Sequence, residues 1–193
     1  MLSAITSDTL TNKIIIISGS LRKASFTTAV CQALVKEMNE IQKSSAGNKI
    51  EFVLRDYVRE LPLYDGDLDN ETPPAAVVDF RREMSEAHAI IIGTPEYNYN
   101  VPGGLKNVID WASRPFAKHC LIGRRVGVFG CSPGDRGGKV SVEYLRNIVP
   151  LLGATLVGQE LLFAKINSLI SSDGKIDKSV MSPLCELASE LAN

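Results

Sequence analysis

Three stretches of the chain gather hydroxyls, a guanidinium, aromatic rings and glycines close together. The first, GSLRKASFTT at residues 19–28, sets the hydroxyls of Ser20, Ser25 and Thr27 around the guanidinium of Arg22, with Phe26 opening an apolar periodicity. Hydroxyls, one fixed cation and the free N–H groups of a helix start are what a phosphate monoester needs. The stretch has no Lys-Ser/Thr pair after a second glycine, as a polyphosphate loop would. Its single glycine, Gly19, is too few for a dinucleotide fingerprint. A plain Ser-capped helix with Arg22 in solvent accounts for the same residues.

The second stretch, TPEYNYNVPGG at residues 94–104, follows an apolar run and places Pro95, Glu96, Tyr97, Asn98, Tyr99 and Asn100 in succession. Polar edges, exposed N–H groups and flat rings suit the rim of a planar heterocycle. A turn that starts a helix at Pro102, with the tyrosines covering apolar neighbours, is the simpler use of the same residues. The third, CSPGDRGG at residues 131–138, joins Ser132 to three glycines, which let backbone approach a ligand or leave room for a second substrate. A surface turn also reads this way. Phosphate at the first stretch and a flat ring at the second together describe a mononucleotide, FMN in particular.

Little else in the chain could be catalytic. With only His88 and His119, no Ser/His/Asp constellation assembles, and no paired carboxylates fall in the three stretches. That leaves the hard chemistry to a cofactor. Cys31, Cys120, Cys131 and Cys185 form no CxxC pair, which argues against zinc or thioredoxin chemistry and for a reducing, cytoplasmic compartment. Cys131 reads as a small buried residue, His88 as structural, Trp111 as a core or subunit-contact residue, and Arg124 with Arg125 as the solvated start of a strand. A net charge of -1 gives no general attraction for nucleic acid or an anionic membrane. The apolar runs are too short to span a bilayer, and MLSAITSDTLTN shows no signal peptide.

Hydrophobic pattern marks the strands and helices that flank these stretches. KIIIIS (residues 13–18), KIEFVLRD (49–56), AHAIIIG (87–93), RRVGVFGC (124–131) and ATLVGQ near Ala154 read as strands, the apolar runs among them as strands buried on both faces. Helical faces recur at Val30, Ala33, Leu34, Met38 and Ile41, closed by SSAGN, and at Val77, Phe80, Met84 and Ala87. Further faces lie at Leu105, Val108, Ile109 and Ala112, at Val142, Leu145, Ile148, Val149 and Leu152, and at Leu184, Leu187, Ala188 and Leu191. Alternating strands and helices predict a three-layer α/β domain with a five-stranded parallel sheet over residues 13–193, after a flexible tail at 1–12. Ligands of such sheets bind beyond the carboxyl ends of the strands, where all three stretches fall. LPLYDGDLDNETPP, residues 61–74, is longer than a simple connection needs.

SGSLRKASF, TPEYNYNVPGGLKNVIDWASR and SPGDRGG, in this order and between these strands, resemble the NADPH-dependent FMN reductase family, with its flavodoxin-like fold and its soluble quinone, chromate and azo-dye reductases. The likeness runs from about Lys13 to Ala154. It implies that Ser20, Arg22, Ser25, Phe26 and Thr27 surround the FMN phosphate, some by backbone alone. It implies that Pro95, Glu96, Tyr97 and Asn98 hold the isoalloxazine largely through main-chain groups, with Ser132 close by. It implies a ping-pong exchange in which NADPH or NADH and a small electron acceptor share FMN in turn; the amides of CSPGDRGG are the candidates for stabilising the reduced ring. It also implies a homodimer or homotetramer, to which the 61–74 loop and the helix bearing Trp111 contribute. Thr27, Asn100 and His88 depart from the residues usual there, Asn, Ser and Asp. A non-enzymatic flavodoxin-like electron carrier or FMN-binding module is the alternative, although such carriers tend to be strongly acidic and this chain is nearly neutral.

Overall fold

The computed structural model describes residues 12–44 and 49–193, so the expected tail up to residue 11 and most of the SSAGN stretch lie outside the described residues. The isoleucine run of strand β1 (Asn12–Ser18) sends alternate side chains to opposite faces. Ile15 and Ile17 join one apolar layer, and Ile14 and Ile16 the other. The same division recurs in β3 (Ala89–Thr94), where Ile90 and Ile92 face one way and Ala89 and Ile91 the other. Burial on both faces explains why these strands read as continuous apolar runs.

Strands β2 (Ile50–Arg55), β4 (Arg125–Cys131) and β5 (Thr155–Phe163) complete an all-parallel sheet of order β2-β1-β3-β4-β5. One face is covered by helices α1 (Phe26–Ser44) and α6 (Lys178–Ala192). The other is covered by α3 (Ala75–Glu86), α4 (Gly103–Ala112) and α5 (Lys139–Leu151), with the one-turn helix α2 (Tyr57–Glu60) beside α4. This is the expected three-layer fold. Most predicted helical faces are buried, but Ile41 at the end of the α1 stripe is 42% exposed.

β5 runs four residues beyond the expected ATLVGQ segment. Gly127 pairs with Val157 and Phe129 with Leu161, so β5 carries two extra residues in a bulge around Gly158. Gly158 has φ +77, and a Cβ there would lie 2.5 Å from Leu187 Cδ1. The bulge carries Phe163 alongside Cys131, under the third loop.

The 61–74 loop is pinned to α4. Asn107 accepts from the Tyr64 N–H at 2.7 Å and donates to Pro62 O at 2.9 Å, and Trp111 Nε1 donates to the same carbonyl at 2.8 Å. Trp111 is fully buried, which places it in the core. Asp69, with 4% of its side chain exposed, is bridged by Arg81 and Arg114. Arg124 donates to Ala87 O, and Arg125 to the carbonyls of Glu190 and Leu191, so the two arginines tie strand ends to neighbouring elements rather than standing free.

Candidate active site

The chain leaves β1 toward β2 on one side and β3 toward β4 on the other, so the strand order reverses between β1 and β3. A crevice opens at such a point above the carboxyl ends of the strands. The β1–α1 and β3–α4 loops meet there. Gly19 N–H donates to Gly93 O at 2.7 Å, and Ser20 Oγ lies 3.2 Å from Tyr97 Oη. Ser25 caps α1, its Oγ accepting from Thr28 N–H at 3.1 Å and its carbonyl from Ala29 N–H at 3.0 Å. Among the described residues, no acceptor meets the N–H groups of Phe26 and Thr27, the helix-start donors suited to an anion. Arg22 and Lys23, on the same loop, are exposed. A cavity of about 180 Å³ beside the loop is lined in part by Ser18, Ser20, Arg22, Lys23, Thr28 and Arg59.

Thr27 contributes differently from its neighbours. Thr27 is 2% exposed and its hydroxyl lies 3.3 Å from Cys131 Sγ, beneath the loop, so the group it has left for a ligand is the main-chain N–H. Phe26 is half-buried against the α1 and α6 layer.

The second loop is a tight hairpin. Tyr97 N–H donates to Asn100 O at 3.0 Å and Asn100 N–H returns to Tyr97 O at 3.1 Å, with Asn98 at φ 50 and Tyr99 at φ 59 between them. Two successive left-handed residues match the turn that joins twisted strands; Asn tolerates this conformation and Tyr pays for it. Arg136 compensates by stacking over Tyr99, 4.9 Å from the ring centroid. Glu96 is a brace between loops. Its Oε1 accepts from Arg136 Nη2 and its Oε2 from Val140 N–H, each at 2.9 Å. Pro95 sits above Thr94, whose hydroxyl contacts Ser141 Oγ at 2.7 Å.

The third loop rests on the end of β5. Ser132 N–H donates to Phe163 O at 3.1 Å, while the Ser132 hydroxyl turns back to Gly134 O at 3.3 Å. Gly137 has φ +59, and a Cβ there would lie 2.8 Å from Phe163 N. Only glycine permits this seat. Among the described residues, the N–H groups of Gly134, Asp135, Arg136, Gly137 and Gly138 meet no acceptor, which leaves a run of donors on this loop.

Burial pushes the Cys131 thiol up to about 11, despite the Thr27 hydroxyl, and raises that of Cys31 as well, with Cys131 nearby adding to it. Neither thiolate is available as a nucleophile at neutral pH. No metal-binding group of His, Cys, Asp or Glu occurs among the described residues.

Ser20 with Tyr97 and Glu96 with Arg136 join the three loops; Arg22 and Ser25 lie on the first loop, Pro95 and Asn98 on the second and Ser132 on the third. Arg136 had no assigned role in the sequence. Its place opposite Glu96 depends on two loops 40 residues apart meeting, which no local pattern reveals. The donor set fits FMN: helix-start N–H groups, a hydroxyl and a guanidinium for the phosphate, and main-chain groups of two loops for the ring.

A family model described as NADPH-dependent FMN reductase matches residues 12–168. A 2-hydroxy-1,4-benzoquinone reductase from a Burkholderia species is 34% identical over 165 residues, covering 85% of each chain. A quinone reductase from Pseudomonas putida is 39% identical over 163 residues, 84% of this chain and 83% of the relative. Among solved structures, the flavoenzyme NAD(P)H:(acceptor) oxidoreductase FerB from Paracoccus denitrificans superposes with a TM-score of 0.73 at 27% identity, covering 93% of this chain and 94% of that one.

Proposed function

Because the chain belongs to the NADPH-dependent FMN reductase family, we propose that it passes two electrons from NADPH or NADH, through bound FMN, to a quinone or another small acceptor. The observation that carries this reading is the convergence of a phosphate cradle, an aromatic hairpin and a donor-rich loop on one crevice. FMN, when bound, supplies the two-electron chemistry.

The chain's own residues bind and orient. Arg22, the Ser20 hydroxyl and the N–H groups of Phe26 and Thr27 hold the phosphate, with Ser25 fixing the helix start. The main chain of Pro95, Glu96, Tyr97 and Asn98 borders the ring, and the N–H groups of residues 134–138, beside Ser132, favour negative charge on it. No side chain is asked to move a proton, in keeping with the raised thiol of Cys131. Donor and acceptor use one crevice in turn, which gives ping-pong kinetics.

The protein acts as a homo-oligomer, a dimer or tetramer. Support comes from the exposed Leu63, Leu68 and Phe116, on segments that the Arg114–Asp69 bridge ties together. A cytoplasmic setting is supported by the free thiols of Cys31, Cys120, Cys131 and Cys185. No helix among the described residues is long and apolar enough to cross a membrane.

Titration of the apoprotein with FMN, followed by fluorescence quenching, tests the site. Saturation at one FMN per chain is expected, with Arg22→Ala weakening affinity about tenfold through loss of one charge-assisted contact while the thermal midpoint stays within a degree or so. Unchanged affinity in Arg22→Ala would place the phosphate elsewhere.

A further inference from the structure

We propose that Arg136 makes this crevice selective for acceptors that carry an ionised oxygen on the ring, as hydroxyquinones do; the inference rests on the quinone-reductase reading of the same site. The stack on Tyr99 and the bond to Glu96 hold the guanidinium in one plane at the rim, so presenting it to an acceptor costs little further ordering. Its side chain is nonetheless 54% exposed, against 11% for Glu96. The second oxygen of Glu96 is taken by Val140 N–H in the first turn of α5, where the helix start offsets part of the carboxylate charge. The more exposed charge of the pair is therefore the cation.

The remaining N–H groups of Arg136 are available to an oxyanion. Neighbouring carboxylates do not compete for them. Asp135 lies 3.3 Å from Lys165, and Glu143 lies 3.7 Å from Lys139. A quinone bearing a ring hydroxyl is a vinylogous carboxylic acid and is ionised at neutral pH, whereas its methyl counterpart of similar size is neutral. Reduction of either is balanced in the same way. NAD(P)H delivers a hydride equivalent by way of the flavin, water supplies the proton, and NAD(P)⁺ and the hydroquinone leave. Only the hydroxyquinone brings an oxyanion for Arg136 to meet.

The test compares lawsone, a hydroxynaphthoquinone, with menadione, its methyl counterpart, on the FMN-loaded wild type, Arg136→Gln and Arg136→Lys. Two quantities are read: the ratio of kcat/KM for lawsone over menadione, and the equilibrium Kd of each quinone by calorimetry. In Arg136→Gln the ratio falls about tenfold and the lawsone Kd rises by a similar factor, the effect of one charged hydrogen bond at a half-exposed site. Arg136→Lys keeps part of the preference, because the charge remains while the planar stack is lost. Equal losses for both quinones would make Arg136 a packing residue only, and a ratio and Kd unchanged within about twofold would remove it from acceptor recognition. A wild type that binds FMN but reduces neither quinone would overturn the reductase reading separately, and the calorimetric Kd values would still decide the role of Arg136.

Discussion

Replacing Glu96 with Ala removes two contacts at once, and their surroundings set the loss. The bond to Arg136 joins a half-exposed cation to a mostly buried carboxylate, so it contributes about 0.5–1 kcal/mol. The bond to Val140 N–H matters more. The residue before α5 is Gly138, which has no side chain to cap the helix, and Glu96 supplies that acceptor from another loop. A cap of this kind contributes about 1 kcal/mol. Glu96→Ala should therefore cost about 2 kcal/mol, equivalent to roughly 4–8 °C in thermal midpoint for a chain of this size. Arg136→Ala should cost about half as much, and the double-mutant cycle should return a coupling of about 0.5–1 kcal/mol. Glu96→Gln, which keeps an acceptor for Val140, should recover much of the loss. Urea unfolding of the four proteins and of Glu96→Gln reads these values. If Glu96→Ala were no less stable than Arg136→Ala, Glu96 would not be the cap of α5.

Gly137→Ala should weaken FMN binding by about tenfold or more while the domain stays folded, because left-handed backbone costs about 1 kcal/mol and the new Cβ would press on main-chain atoms of β5; unchanged affinity in an FMN titration would take this loop out of the site. Stability should fall in acid. Burial alone would raise the carboxyl of Asp69, but hydrogen bonds from Arg114 and Arg81 outweigh it and hold the group below its usual range; Glu83 is held low first by Arg55 and then by Tyr57. Groups depressed in the folded state stabilise it above their unfolded values, near about 4, and that contribution is lost as pH falls through the folded values. Asp69→Asn should lower the urea midpoint at neutral pH and flatten its decline below about pH 4; a decline as steep as the wild type's would contradict this. Cys131 and Cys31 should resist alkylation in the native protein at neutral pH, as peptide mapping after brief iodoacetamide treatment would show; rapid labelling of Cys131 would contradict its burial.

The strands were legible because burial on both faces turns IIII and AIII into unbroken apolar runs, and α1, α3, α5 and α6 because one helical face of each is buried. β5 was legible only as far as Gln159, since the bulge at Gly158 breaks the pattern beyond it. The one-turn helix α2 is too short to establish a periodicity. At the site, loop chemistry picked out the loops that meet beyond the strand ends but not which way their side chains point. Thr27 reads as a phosphate hydroxyl and is turned under the loop to Cys131 instead. Glu96 reads as a ring neighbour, and its carboxylate joins two loops. Both outcomes depend on contacts between residues far apart in the chain, which residue type and spacing do not specify.

Electron transfer from a nicotinamide to a small acceptor in this crevice is read out by anaerobic mixing of the FMN-loaded protein with NADPH, followed by menadione. The oxidised flavin absorbance should bleach on the timescale of turnover and return when the quinone is added. A flavin that binds yet stays oxidised with both NADPH and NADH would contradict this transfer and make the protein a carrier or binding module.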